Sequence, residues 1–98
     1  NFELPGTKAD DNQWEGEYPS WYVRMPADFT PDGYTWAVGT NAPTCRNTDM
    51  AYFKGRTFVV TLDGFLVSDN VEISSVRTVD LEFENSDHNP VVLEFILL

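Results

Sequence analysis

Ser86-Asp87-His88-Asn89-Pro90-Val91 sets an acid beside the chain's only histidine, directly before the apolar run Val92-Leu93-Glu94-Phe95-Ile96-Leu97-Leu98. An imidazole handles a proton near neutral pH, and a carboxylate holds a metal ion or an attacking water. Together they suit the hydrolysis of a phosphate ester. A plainer reading takes Ser-Asp-His-Asn-Pro as a polar turn, with Asn-Pro opening the next strand.

Asp63 is the second acid with chemical promise. It interrupts the apolar stretch Thr57-Phe58-Val59-Val60-Thr61-Leu62-Asp63-Gly64-Phe65-Leu66-Val67. An unpaired carboxylate inside such a strand costs on the order of several kcal/mol. An Asp–His pair would satisfy the acid and fix the imidazole tautomer, and His88 is the histidine available. Spacing alone gives equal weight to an Asp63-Gly64 turn or bulge open to water.

The elements that must position these residues read as strands. Ser20–Met25 is short and aromatic and is closed by Pro26, and Pro31-Asp32-Gly33 makes a turn before a second strand, Tyr34–Val38. Gly39–Asp49 shows no periodicity and reads as a long loop. From Val71 to Glu84 apolar and polar residues alternate, with a slip near Ser75-Val76-Arg77. That pattern predicts a half-buried strand, bulged where the alternation slips. Val91–Leu98 is apolar on both faces except for Glu94, the pattern of a central strand. No stretch shows a helical period. Residues 1–19 are turn-rich and acidic, and read as a connector or surface segment with Trp14 and Tyr18 as docking anchors. The acids Asp10, Asp11, Glu15 and Glu17 lack the spacing of a calcium-binding loop and read as solvated.

At 98 residues the chain is one small domain at most, and 42% apolar content excludes a disordered tail. Sixteen acids against six bases give a net charge of −10, which argues against a broad electrostatic grip on nucleic acid or on an anionic membrane. One cysteine, Cys45, excludes an internal disulfide and reads as buried and inert. The apolar runs are too short to span a bilayer. A soluble protein follows, either in a reducing cytoplasm or secreted from a bacterium.

Three landmarks in order resemble the endonuclease/exonuclease/phosphatase (DNase I-like) family. Ser86-Asp87-His88-Asn89-Pro90-Val91 resembles its Ser-Asp-His-x-Pro-Val signature. Leu62-Asp63-Gly64-Phe65-Leu66-Val67-Ser68 looks like its Ile/Leu-Asp-Tyr-Ile-Leu strand, with glycine where an aromatic is common. Tyr34-Thr35-Trp36 resembles the Tyr-Thr-Trp/Phe stretch that precedes it. The resemblance covers the last two thirds of the chain. It implies an α+β, mostly β fragment: the C-terminal half of a four-layer α/β sandwich, here one β-sheet layer with long loops, over residues 20–98.

The activity implied is divalent-metal-dependent phosphoester hydrolysis with Mg²⁺, or Mn²⁺ or Ca²⁺. By position, His88 would be the catalytic histidine, Asp63 would orient it, and Asp87 would hold the attacking water or a metal. Arg46 and Arg56 are candidates to meet a phosphate and Trp36 to stack on a base or sugar, while surface charge and core packing are the plainer readings. Low basic content favours a small or sugar-like phosphoester over bulk DNA.

The early Asn, the metal-binding Glu and the Gly-Asp-x-Asn motif of the family are not among these residues. The expectation is therefore a chain inactive alone, completed by an N-terminal part of the same domain or by self-association. Two alternatives stand beside it: a non-catalytic β-rich binding module, and a degenerate family member kept as a scaffold.

Overall fold

The computed structural model of the chain describes residues 2–5, 7, 18–26 and 28–98, and only the backbone of Phe2. The four acids of the rejected calcium site, and Trp14, lie outside the described residues. Among the described residues all regular structure is β, in eight strands. In chain order they are β1 (Phe2–Glu3), β2 (Val23–Arg24), β3 (Tyr34–Ala37), β4 (Cys45–Arg46), β5 (Val59–Val60), β6 (Phe65–Ser68), β7 (Val71–Thr78) and β8 (Val91–Leu97). No helix among them is long and apolar enough to cross a membrane.

The strands pair two by two, rather than as one layer. β1 and β2 are parallel; β3–β6, β4–β5 and β7–β8 are antiparallel. Backbone hydrogen bonds then tie the pairs together. Leu4 N donates to Thr61 O at 3.0 Å, linking the end of β1 to the end of β5. On the far side of β4, Arg46 N donates to Asp87 O and Asn89 N donates to Thr44 O, at 3.0 and 2.8 Å. The Ser-Asp-His motif thus joins the β4 edge before the chain enters β8.

The core is small and centred on β4 and β5. Phe58, Val60 and Cys45 are buried together, with Trp21, Tyr22 and Leu62 packed against them. Phe58 meets Tyr18, Trp21 and Tyr22 edge-on at centroid distances of 5.5, 5.9 and 5.3 Å. Each such ring pair contributes about 0.5–1.5 kcal/mol beyond its buried area. Glu3 is fully buried, which an isolated carboxylate does not tolerate. Its Oε1 accepts from Tyr22 OH at 2.9 Å and Arg24 Nε at 3.0 Å, anchoring β1 to β2.

Several strands are shorter than the sequence pattern predicts. The Ser20–Met25 stretch pairs only at Val23–Arg24, and Thr57–Val67 splits into β5 and β6 around Thr61–Gly64. The Gly39–Asp49 loop contains β4, and four residues before it Asn41 sits on Thr78: Nδ2 donates to Thr78 O and Oδ1 accepts from Thr78 N. That side-chain amide imitates a strand neighbour at the end of β7.

β7 is bulged, with the register shift between Ile73 and Ser75, slightly earlier than the alternation slip suggests. It stops at Thr78, not Glu84. Glu82 and Phe83 both take left-handed backbone, φ 53° and 54°, which no strand accommodates. Asp80 Oδ1 accepts from Glu82 N and stabilises that turn. Phe83 is instead buried edge-on against Tyr52.

β8 pairs with β7 along its whole length and is not flanked on the other side by any described strand. Its C-terminal end, Phe95, Ile96 and Leu97 with Leu98, is half to three-quarters exposed. The apolar pattern expected of a central strand is therefore present, but its faces are open.

Candidate functional site

β4 is the organiser of the site. Thr44, immediately before it, has no solvent exposure, and its Oγ1 accepts from both Leu62 N (2.9 Å) and Asp63 N (3.1 Å). The same residue's carbonyl receives Asn89 N. One threonine therefore fixes the backbone at Asp63 and at the residue after His88. Asn89, buried at 3%, completes the frame: Nδ2 donates to Pro43 O and Oδ1 accepts from Leu81 N.

The bonds Arg46 N–Asp87 O and Asn89 N–Thr44 O flank Cys45 and His88 on both sides, so these two residues form the isolated bridge of the β4 edge. They are a non-hydrogen-bonded antiparallel pair, the kind whose Cα atoms approach to about 4.5 Å and whose side chains stand on the same face. His88 therefore projects beside Cys45, and the Cys45 Sγ to His88 Nε2 distance is 3.7 Å.

On its other nitrogen the ring meets the strand-interrupting acid. His88 Nδ1–H donates to Asp63 Oδ2 at 2.8 Å, across 25 residues of chain. A carboxylate only accepts, so Nδ1 carries the proton and Nε2 of the neutral ring presents a lone pair. His88 and Asp63 side chains are 43% and 41% exposed. A pair so open to water stabilises the fold by about 1 kcal/mol at most. Its geometric consequence, a fixed tautomer and ring orientation, is much larger than its energetic one. The open-turn reading of Asp63-Gly64 is not what the side chain does.

Asp87 enters mainly through its backbone, whose carbonyl takes Arg46 N. Its carboxylate lies close enough to influence Cys45. Burial pushes the Cys45 thiol up to about 11, and the negative charges of Asp87 and then Asp63 add to the rise, against the lowering influence of Arg46. The thiol remains S–H at neutral pH. Cys45 is buried, as the sequence suggests.

The remaining sequence candidates are held apart from the Asp63–His88 pair. The Arg46 guanidinium turns onto its own loop, donating from Nη1 to Asn47 O and Met50 O, while its buried Nε has no acceptor. Trp36 on β3 gives its Nε1–H to Phe29 O. Arg56 is exposed, in the turn closed by Arg56 N–Phe53 O. Lys54 lines a separate depression of about 730 Å³ with Asn41, Tyr52, Thr57 and Asp80. A smaller depression of about 290 Å³, walled by Leu81, Phe83, Ser86, Asn89 and Pro90, reaches His88 itself.

A hard divalent cation takes six or more oxygen ligands, several of them from carboxylates in a dedicated site. Among the described residues no group of three His, Cys, Asp or Glu side chains surrounds a common point. The Asp63 carboxylate is already engaged by His88, which leaves Asp87 as the acid of the motif with an open side chain. These residues alone do not build a Mg²⁺ site.

Thr44, Cys45 and Asn89 carry the local geometry and were not singled out for it in the sequence. A two-residue strand has no readable period, and the pairing that gives Cys45 its place is made with a partner 43 residues away. Comparison with protein-family models, curated proteins and solved structures gives no match to this chain.

Proposed function

We propose that Asp63 and His88 form the histidine wall of a divalent-metal-dependent phosphoesterase site, acting on a phosphodiester or phosphomonoester. The observation that carries this reading is the 2.8 Å contact between His88 Nδ1 and Asp63 Oδ2. It joins two of the three landmarks that resemble the endonuclease/exonuclease/phosphatase family. In this reading Asp63 holds the imidazole in the tautomer whose Nε2 accepts a proton from an attacking water, or returns one to a leaving oxygen. Asp87 lies alongside as a ligand or water-holding acid.

The donor set is incomplete among the described residues, so the reading includes a complementary part of the same domain that supplies the principal metal ligands. The open apolar end of β8 fits the same proposal: Phe95, Ile96 and Leu97 would be covered by the other layers of a four-layer sandwich. A net charge of −10 favours a small or sugar-like phosphoester over bulk nucleic acid.

The test has two parts. The 98-residue chain, given Mg²⁺ and bis-p-nitrophenyl phosphate, should show no turnover above buffer. The longer polypeptide, encoded together with any upstream Gln-Glu and Gly-Asp-x-Asn motifs, should hydrolyse the ester, and His88→Ala should cut its rate by at least about 10²-fold, the usual scale of acid–base catalysis. A longer polypeptide that carries those motifs yet is indifferent to His88→Ala would overturn the proposal. If the coding sequence carries neither motif and the protein is inert, the non-catalytic binding module or scaffold takes its place.

A further inference from the structure

The Asp63–His88 pair is complete without the turn that follows β7, yet that turn is built at a cost. Glu82 and Phe83 are consecutive residues in left-handed backbone, a conformation unfavourable for L-residues and concentrated at ligand clamps. The turn swings Phe83 inward, 5% exposed and edge-on to Tyr52, and leaves Leu81 50% exposed. With Pro90 these two side chains wall the depression of about 290 Å³ that reaches His88.

That wall is pinned to the motif. Val79 N donates to Pro90 O at 2.8 Å, Leu81 N to Oδ1 of the buried Asn89 at 3.1 Å, and Glu84 N to Leu81 O at 3.1 Å. Asn89 follows His88, so Leu81 and the imidazole are fixed on one frame. A ligand that covers Leu81 removes apolar surface from water without first having to order the turn. The volume lies at the small end of ligand sites, which run from about 300 to about 1,000 Å³, and suits one ring or a short hydrocarbon chain. Charge decides which end of an ester enters. Glu84 lines the depression, Asp87 adjoins His88, and no lysine or arginine among the described residues lines it. A phosphate is repelled there, and a sugar would leave its hydroxyls against Leu81, Phe83 and Pro90 without partners.

We propose that this depression seats the apolar alcohol portion of a phosphoester, an aryl, benzyl or short alkyl group, beside His88, with the phosphate left outside it. The proposal rests on the phosphoesterase reading for the ester, and it narrows a small or sugar-like substrate to a small apolar one. Leu81 is then the residue that sets specificity, since it is the wall with the most apolar surface left for a ligand to cover.

Benzyl alcohol, uncharged and carrying no phosphate, is the probe, and glycerol is its polar control. Each is titrated at neutral pH into the isotopically labelled 98-residue chain, and into the longer polypeptide of the turnover assay, with ¹H–¹³C NMR as the readout. Benzyl alcohol should shift the Leu81 methyl, Phe83 ring and His88 ring signals together, on one saturating curve in the millimolar range of a small fragment. Glycerol should shift none of them. Leu81→Asp, a change at a half-exposed position, should weaken benzyl alcohol at least about tenfold. Should its spectrum show a disturbed fold, Leu81→Ala replaces it and should give a smaller loss of the same sign. Shifts that never saturate, that centre on the open end of β8, or that persist undiminished in the Leu81 variant overturn the proposal. So does a response present in the 98-residue chain and lost in the longer polypeptide, because another part of the domain then fills the depression. Binding needs no turnover: a longer polypeptide that binds benzyl alcohol through Leu81 yet hydrolyses no ester overturns the phosphoesterase reading and keeps the apolar site.

Discussion

Thr44→Val should test the frame of the site more sharply than any change at the site itself. Valine matches threonine in shape, and Thr44 is fully buried, so packing is nearly conserved. What disappears is the oxygen that accepts from Leu62 N and Asp63 N. A buried donor left unsatisfied costs about 1–3 kcal/mol. Leu62 and Asp63 are only half-buried, so water reaches them in part and the lower end applies to each. The expected loss is about 2–3 kcal/mol, a large share of the roughly 5–15 kcal/mol typical of a domain. With a urea slope of about 1–2 kcal/mol per M, the unfolding midpoint should fall by about 1–3 M, read by tryptophan fluorescence. Thr44→Ser retains the oxygen and loses one methyl, so it should cost only about 1 kcal/mol. In Thr44→Val, moreover, the ¹⁵N signal of His88 Nδ1 should move as Asp63 drifts from it. Equal midpoints for the Val and Ser variants, with the His88 signal intact, would refute the assignment of Thr44 as the organiser.

Three further outcomes follow from the same packing. A Cβ on Gly39 would lie 2.5 Å from Thr78 Oγ1 and 2.6 Å from Thr78 N, against the backbone that Asn41 also grips. Gly39→Ala should therefore destabilise by about 1–3 kcal/mol and lower Tm by about 5–20 °C, and a Tm unchanged in calorimetry would contradict the close approach. With its thiol pushed up to about 11, Cys45 should react with iodoacetamide about 10²-fold more slowly than free cysteine at pH 7.5, the rate climbing tenfold per pH unit toward pH 11. The sign is that of a raised acid: the native state keeps its proton longer than the unfolded chain, so this stabilisation is full below about pH 8.5 and is lost as pH rises to about 11. Asp87→Asn removes one of the raising charges and should shift the reactivity curve to lower pH; an unchanged curve would show that the Asp87 carboxylate faces away.

The turn at Pro31-Asp32-Gly33 was legible because its chemistry is local: Gly33 takes φ 81° and Tyr34 N closes on Pro31 O. The bulge of β7 was legible because a slip in period two has one structural meaning. The alternation past Thr78 misled, because Val79, Leu81 and Phe83 keep a strand's spacing while Asp80 and two left-handed residues turn the chain. Gly64 stands where the resembled strand has an aromatic, and a Cβ there would come within 2.7 Å of Leu4 Cδ1 from the opposite end of the chain. No local pattern announces such a neighbour.

The sequence by itself determined the chemical inventory: one imidazole, one thiol, an acid at position 63 interrupting an apolar stretch, and β-forming runs with no helical period. It left open whether Asp63 met water or His88. Tertiary structure decided that, because a contact across 25 residues depends on where β4 brings the two segments together. It also decided that the buried cysteine sits on Nε2, since opposite residues of an antiparallel bridge must share a face. Residue types fix what chemistry is available, and long-range backbone pairing fixes which groups are close enough to perform it.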